Sequence, residues 1–515
     1  LLFIINLNKM KKGIILLSAL FTLGISAQEK KKNEKSLDSI QKLDEVIIST
    51  TAIFGNKYVA KNRTGSAYYL SPKEIQKFGF TDVNRALRSV PGVSIYEEDG
   101  FGLRPNISLR GTSPERSSKI TLMEDGVLIA PAPYSASSAY YFPTIARMEA
   151  VEVLKGSSQV QYGPFTTGGA INMISAQIPT EFSGKVSASY GSFNSTQLHA
   201  KIGGGNDTFG YVLEYLNYGS DGFKTLPSGK DTGFDKNDIV AKFAVNLFPK
   251  ARVKQSLEFK FQYSDEVGNE TYLGLSEADF NTNPFARYAS SNEDKMTTDH
   301  TQYAITHKVD FSKNIRLTTT AYQNNFARNW YKLNDITFNG DKQSIANVLN
   351  DPTTLANHFA IVNGSVNSGA DAIGVKANNR KYYSQGIQSK FDYHWYKGDA
   401  FHDIEVGVRF HYDEEDRFQW VDKYSISDAG VLGLTTAGVA GTDANRISSA
   451  NAFASFITYK LKYNNWTFTP GVRYENITLK REDFGKSDVT RTGANLSERE
   501  NSVDVFIPGM GANYK

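Results

Sequence analysis

The residues best suited to hold a ligand in this sequence are arginines. Arg116 stands in a Gly-Thr-Ser-Pro loop within NISLRGTSPERSSKITLMEDGVLI, between the apolar runs Ile107–Leu109 and Ile120–Met123. Arg380, Arg409, Arg417 and Arg473 follow in the second half of the chain. A guanidinium presents a rigid fork of donors that meets a carboxylate at two points, so such a set suits an anionic partner. Covalent chemistry has no comparable signature. GxSxG, HExxH and GxxxxGK[ST] are absent, which removes motif hydrolases, zincins and P-loop sites. The seven histidines show no metal-ligand spacing. With no cysteine there is no disulfide framework, thiol-ligated zinc or iron–sulfur site. The reading is of a binding protein, not an enzyme.

Arginines bind only where something positions them, and 515 residues suffice for at least two folded units. The 28 Tyr and 32 Phe, with 42 Gly against 15 Pro, lean towards an all-β protein. A net charge of +3 is too even to suggest nucleic acid. Past Pro179 the chain alternates every second residue. LEFKFQY puts Leu257, Phe259, Phe261 and Tyr263 on one face, with Glu258, Lys260 and Gln262 on the other. IEVGVRFHY opposes Ile404, Val406, Val408, Phe410 and Tyr412 to Glu405, Arg409 and His411. FITYKLKY repeats the pattern from Ile457 to Tyr463. A soluble sandwich also alternates, but its strands run about five or six residues. These approach the ten or so that a tilted strand needs to cross a bilayer.

The spacing predicts strands near 185–190, 195–203, 208–218, 237–248, 253–264, 300–311, 314–325, 382–396, 402–412, 452–463, 465–475 and 502–514. FPKAR, SKN, YKGDA and YNN are tight links, whereas 219–236, 265–299, 326–381, 413–451 and 476–501 are long. Short turns at one rim and long loops at the other mark an outer-membrane barrel. By alternation Arg409 and Arg473 face the lumen near the upper ends of strands. Arg380 enters the next inward row from a long loop, and Arg417 sits in the loop after Arg409. His300, His307 and His411 read as lumen-wall residues.

The stretch from about 51 to 180 has a different grammar, that of a compact mixed α/β domain. SPKEIQKFG carries a Ser71 N-cap, Pro72 at the first helical position and a Gly79 stop; TDVNRALRSVPGV has Thr81 as cap and Pro91-Gly92 as terminator. Asp125-Gly126 suits a two-residue hairpin turn, and Gly156, Gly163, Gly168 and Gly169 allow tight reversals against a wall. Such a domain ahead of a barrel either hangs in the periplasm or plugs the lumen, and the Arg116 loop suits an outward tip of a plug.

LDEVIIST (43–50) resembles the TonB box, and LRSVPGVSI, NISLRG, LMEDGVLI and RMEAVEVLKGSSQVQYGPFTTGGAINMIS resemble, in order, the plug of TonB-dependent outer-membrane receptors. APAPYSASSAYYFP is most similar to the ferric-citrate receptors. The resemblance implies a transmembrane β-barrel of about 22 strands in the complete protein, with an N-terminal mixed α/β plug inside the lumen. It implies TonB-dependent import of a ferric chelate, ferric citrate, across the outer membrane of a Gram-negative bacterium. TonB of the TonB–ExbB–ExbD complex would add a strand to the box, Leu43, Asp44, Glu45, Val46, Ile47 and Ile48. No cofactor is bound covalently; iron arrives as the chelate. The barrel is surrounded by outer-membrane lipid, and a monomer is expected. Arg116, Tyr134 and Ser135 would lie on plug tips, and Arg380, Arg409, Arg417 and Arg473 would reach the ligand from the barrel. Alternatively, these arginines pair with plug carboxylates such as Glu97, Glu98 and Asp99.

Met10-Lys11-Lys12, the apolar Gly13–Gly24 and Ile25-Ser26-Ala27 read as a signal peptide over 10–27, with 1–9 not part of the mature protein. Residues 28–42 read as a flexible periplasmic tether, too short for the extra N-terminal domain of signalling receptors. Residues 181–515 hold roughly twelve strands, so a C-terminal truncation lacking about ten is expected. Rival cargoes are another siderophore or an oligosaccharide, the latter expected to need aromatic-rich loops and a partner lipoprotein. An adhesin or a barrel enzyme would leave the plug motifs unexplained.

Overall fold

The computed structural model describes residues 52–515 apart from 54, 78–81, 157–158 and 270. The leader, the tether, the segment Leu43–Thr50, Thr81 and Gly79 therefore lie outside the described residues.

The N-terminal domain is built on β1 (Ser66–Leu70), β2 (Val93–Tyr96), β3 (Asn106–Leu109), β4 (Ile120–Glu124), β5 (Val127–Leu128), β6 (Ala150–Lys155) and β7 (Gly169–Ile174). Five of these form one sheet in the order β1-β6-β7-β4-β5, with β4 and β7 parallel. β2 and β3 make a separate hairpin. The helix Pro72–Lys77 opens on a capping box: Ser71 N–H donates to Glu74 Oε2 (2.9 Å), and the Glu74 amide donates back to Ser71 Oγ (3.4 Å). The helix Val83–Leu87 is capped by Asp82, whose carboxylate accepts from the Asn84 amide. Asp125 (φ 51°) and Gly126 (φ 75°) form the tight β4–β5 turn, both left-handed as a type I′ turn requires.

The barrel strands are β8 (Ser183–Gly191), β9 (Ser195–Gly205), β10 (Phe209–Ser220), β11 (Phe234–Asn246), β12 (Lys254–Gly268), β13 (Lys295–Ser312), β14 (Ile315–Phe338), β15 (Asp341–Ser344), β16 (Ile373–Lys397), β17 (Ala400–Ile426), β18 (Leu432–Thr436), β19 (Ala444–Tyr463), β20 (Trp466–Asp483) and β21 (Ser497–Tyr514). Twelve follow one another as an antiparallel meander from β8 to β21, and β15 and β18 are flaps on β14 and β17. Phe259, Ile305, Ile387, Val408, Phe410 and Ile457 face outward as an exposed apolar band, the surface a bilayer covers.

The strands are longer than alternation predicted. β14, β16 and β17 run for 24, 25 and 27 residues, against about ten to cross a bilayer. Beyond the lipid band both faces become polar, so alternation fades while backbone pairing continues. Arg380 and Arg417 are thus strand residues, directly opposed across β16 and β17, and not loop residues. Arg409 and Arg473 point inward but sit nearer the short-turn ends of their long strands than the upper ends. His300 and His411 do face the lumen and are buried, whereas His307 shares the outward parity of the exposed Tyr303 and Ile305.

The N-terminal domain fills the lumen. Its apolar core, which includes Leu70, Leu87, Ile107, Leu109, Ile145 and Ile171, also takes in Phe326 and Tyr382 of the wall. The seam around that core is polar. Wall lysines meet plug carboxylates: Lys260 Nζ lies 2.7 Å from Glu124 and 2.8 Å from Asp125, Lys242 3.1 Å from Asp125, and Lys201 2.9 Å from Glu149. Glu124 is gripped from within the plug by Arg147 at 2.8 and 2.9 Å. Burial alone would raise the Glu124 pKa, but Arg147 and Lys260 outweigh it and hold it at about 2. Arg104 reverses the polarity, reaching Glu266 of β12 at 2.5 Å.

Candidate ligand-binding site

At the long-loop end of the lumen, the plug presents Arg116 and Tyr140 to the wall. Arg116 sits in the turn Glu115–Ser117 with a left-handed backbone (φ 49°). Its amide donates to Asn106 Oδ1, which ties the turn to the end of β3. Its guanidinium meets Glu98 at two points, 2.5 and 2.6 Å. Burial would lower the Arg116 pKa, yet the Glu98 carboxylate raises it further above its ordinary value.

Tyr140 gathers the arginines. Its ring lies 3.7 Å from the Arg328 guanidinium, 5.3 Å from Arg116 and 6.0 Å from Arg380. Arg380 donates to Glu415 (2.6 Å), which also accepts from Arg417 (2.6 Å). The sequence-chosen Arg116, Arg380 and Arg417 therefore belong to one chain of contacts, running through Tyr140 and Glu415. Cations exceed carboxylates in it: Arg116 holds Glu98, Arg380 and Arg417 share Glu415, and Arg328 pairs with neither. Arg328 is buried, and among the described residues its Nε and Nη2 have no hydrogen-bond partner. An unpaired buried donor is costly, and an incoming anion would satisfy it.

Aromatic rings extend the surface. Trp330 lies 5.1 Å from Arg116 and packs edge-on to Tyr272 at 4.7 Å. Lys332 spans both rings, at 4.1 and 3.7 Å. Next to Tyr272, Leu273 enters a second core formed by the long loops themselves, with Val348, Ile361, Ile373 and Ile426. The loops flanking the site thus have packing of their own.

Tyr134, Ser135, Arg409 and Arg473 form a different constellation, in the seam. The Tyr134 and Ser135 amides donate to Asp413 of β17 at 2.7 and 2.9 Å. Arg409 donates to Tyr134 Oη (3.0 Å) and to the Gly163 carbonyl (2.5 Å). Arg473 donates to the Gln161 carbonyl (3.2 Å) and Glu475 (2.5 Å). A Cβ on Gly163 would come within 2.5 Å of Glu475 Oε1 and 2.8 Å of Arg473 Nε, so this contact needs glycine. The expected pairing with plug carboxylates takes another form: Glu97 and Glu98 pair with the plug's own Arg88 and Arg116, and Asp99 accepts from the amides of 101–104.

Sequence reasoning missed Tyr140, Arg328, Trp330 and Lys332. The last three continue the inward parity of Tyr322, Asn324 and Phe326, and carrying the alternation past residue 325 would have found them. Tyr140 lay inside the quoted APAPYSASSAYYFP segment, where nothing distinguishes it from Tyr141.

Residues 60–170 match the TonB-dependent Receptor Plug Domain family. A vitamin B12 transporter, BtuB of Photobacterium profundum, is 27% identical over 191 residues, 36% of this chain and 31% of the transporter. The crystal structure of the ferric citrate transporter FecA in its unliganded form superposes with a TM-score of 0.68 at 20% identity, over 91% of this chain and 63% of that one. The siderophore receptor PiuA from Acinetobacter baumannii gives 0.63 at 15% identity, over 92% and 65%. The chain thus spans less than two thirds of the length of these structures. These relatives are transporters and receptors, not enzymes. At such identities the superpositions speak to fold alone: the chain has a domain that matches the plug family over residues 60–170 and shares the plug-and-barrel fold of these structures.

Proposed function

We propose that the protein imports a ferric chelate, ferric citrate, across the outer membrane of a Gram-negative bacterium, driven by TonB of the TonB–ExbB–ExbD complex. The observation that carries this reading is the cationic excess around Tyr140. Ferric citrate is a compact anion with several carboxylate arms. Arg116, Arg328, Arg380 and Arg417 offer planar donors from plug and wall, partly shielded from water, where charge-assisted hydrogen bonds are strongest. Arg409, Arg473, Tyr134 and Ser135 act instead as plug anchors. The polar seam suits a plug that must move. Ion pairs and carbonyl contacts exchange for water more readily than an apolar interface, because burying charge carries a desolvation cost that exposure returns. Pulling on Leu43–Thr50 after strand addition would transmit to β1 and the plug sheet.

Trp330 and Tyr272 favour a second reading within the same class, a siderophore with aromatic chelating groups that stack on these rings. Calorimetric titration of the intact receptor separates the two. Under the first reading ferric citrate binds, and Arg380→Gln weakens it by about tenfold or more, since one charge-assisted bond contributes about 1.5–3 kcal/mol. Tight binding of an aryl siderophore with none of ferric citrate would establish the second.

A further inference from the structure

Between the plug and the short-turn half of the wall lies a cavity of 140 Å³, well above the roughly 10–15 Å³ that one water needs. Its wall is a row of inward residues in register across four strands: Thr320 pairs with Gln388, Gln388 with Arg409, and Arg409 with Ala454. Thr318 stands in the row below, and the plug closes the other side with Met123 and Tyr162.

Among the described residues, four cations line this cavity, Arg63, Lys390, Arg409 and Arg473, against two carboxylates, Asp125 and Glu405. Asp125 is already held by Lys242 and Lys260, and Glu405 lies 3.6 Å from Lys390. Arg473 is balanced by Glu475 at 2.5 Å. Arg409 differs. Among the described residues its hydrogen bonds go to two neutral acceptors, Tyr134 Oη (3.0 Å) and the Gly163 carbonyl (2.5 Å), and its buried Nε has no partner. The buried Thr318 hydroxyl has none among them either. A water satisfies an N–H but leaves the charge of a shielded guanidinium unbalanced, and such charges are ordinarily paired.

We propose that this cavity is a binding site for a small free dicarboxylate, one arm on Arg409 Nε and the other towards the Thr318 hydroxyl. The inference rests on the cavity and its unpaired donors and is independent of the imported cargo. A carboxylate suits the planar guanidinium better than a spherical halide does, because it accepts along the directions in which the N–H groups point. Once bound, the anion ties Arg409 more firmly to the plug segment 161–168, whose Gln161 and Gly163 carbonyls already hold Arg473 and Arg409.

Hydrogen exchange of amides 161–168, on the intact receptor in a bilayer, tests this with malonate as the probe and chloride at equal ionic strength as the control. Malonate at ten times its dissociation constant should slow exchange about tenfold, since the anion must leave before the segment opens. Chloride should leave it unchanged. Ala454→Leu fills the space opposite Arg409 without removing any of its hydrogen-bonding groups, and should abolish the protection. Arg409→Gln should abolish it too, compared with its own rate in chloride. No protection by malonate would overturn the proposal, as would equal protection by chloride or protection that survives Ala454→Leu. The measurement involves neither TonB nor an iron chelate, so its failure would leave the proposed import standing.

Discussion

Lys260→Met removes a wall cation that holds two plug carboxylates at once. Its Nζ lies 2.7 Å from Glu124 and 2.8 Å from Asp125, and all three side chains are buried. Breaking an isolated buried pair costs about 3–5 kcal/mol. Here each carboxylate keeps another partner: Glu124 retains Arg147, and Asp125 retains Lys242 at 3.1 Å and Ser175 Oγ at 2.6 Å. The loss should therefore fall below that range, at about 2–3 kcal/mol, a factor of about 30–150 in the population of the loosened hairpin. Hydrogen exchange of the β4–β5 amides, measured on the intact receptor in a bilayer, reads that population directly. Lys260→Arg should keep most of the protection. Acid should mimic the methionine variant. Because the folded pKa of Glu124 lies near 2, below its unfolded value of about 4.3, the stabilisation is complete above the unfolded value. It is lost as pH falls through the folded one. Wild-type exchange rates in Lys260→Met would refute the view that charge pairs hold the plug to the wall.

Arg409→Gln should accelerate exchange around Gly163 and leave ligand affinity unchanged, because its contacts are Tyr134 Oη and a plug carbonyl; a tenfold loss of affinity would return Arg409 to the ligand site. Gly163→Ala should destabilise the plug by about 1–3 kcal/mol in thermal unfolding, the usual cost of overpacking, since its Cβ would sit 2.5 Å from Glu475 Oε1. Proline at Val46 should abolish uptake while leaving surface binding intact, because it removes a backbone donor from the added strand; undiminished uptake would remove 43–50 from the coupling step.

What was legible in the sequence follows from how each signal is written. Lipid-facing strands announce themselves, because alternation is what a wall between hydrocarbon and a polar lumen requires, and LEFKFQY and IEVGVRFHY are such walls. Their upper continuations carry less contrast, so 326–338 looked like loop and hid Arg328, Trp330 and Lys332. The Asp125-Gly126 turn was readable because its backbone needs those residue types. That Asp125 also pairs with Lys242 and Lys260 was not, because the partners lie more than a hundred positions away and alternation reports only that they face inward. The same limit divided the chosen arginines. Parity put Arg409 and Arg473 on the lumen face and Arg380 in the next inward row, while Arg417 read as a loop residue; height along the strand decides whether a guanidinium stands at the loop end or against the plug seam, and parity carries no height.

The proposed TonB-driven import of ferric citrate can be measured in whole cells. The most direct measurement is accumulation of radiolabelled iron from ferric citrate by cells whose only route for it is this receptor, with and without TonB. Accumulation should require both TonB and the proton gradient, and should fall with Arg380→Gln at limiting ligand. Accumulation that persists without TonB would contradict it, as would none at all from a receptor that reaches the surface.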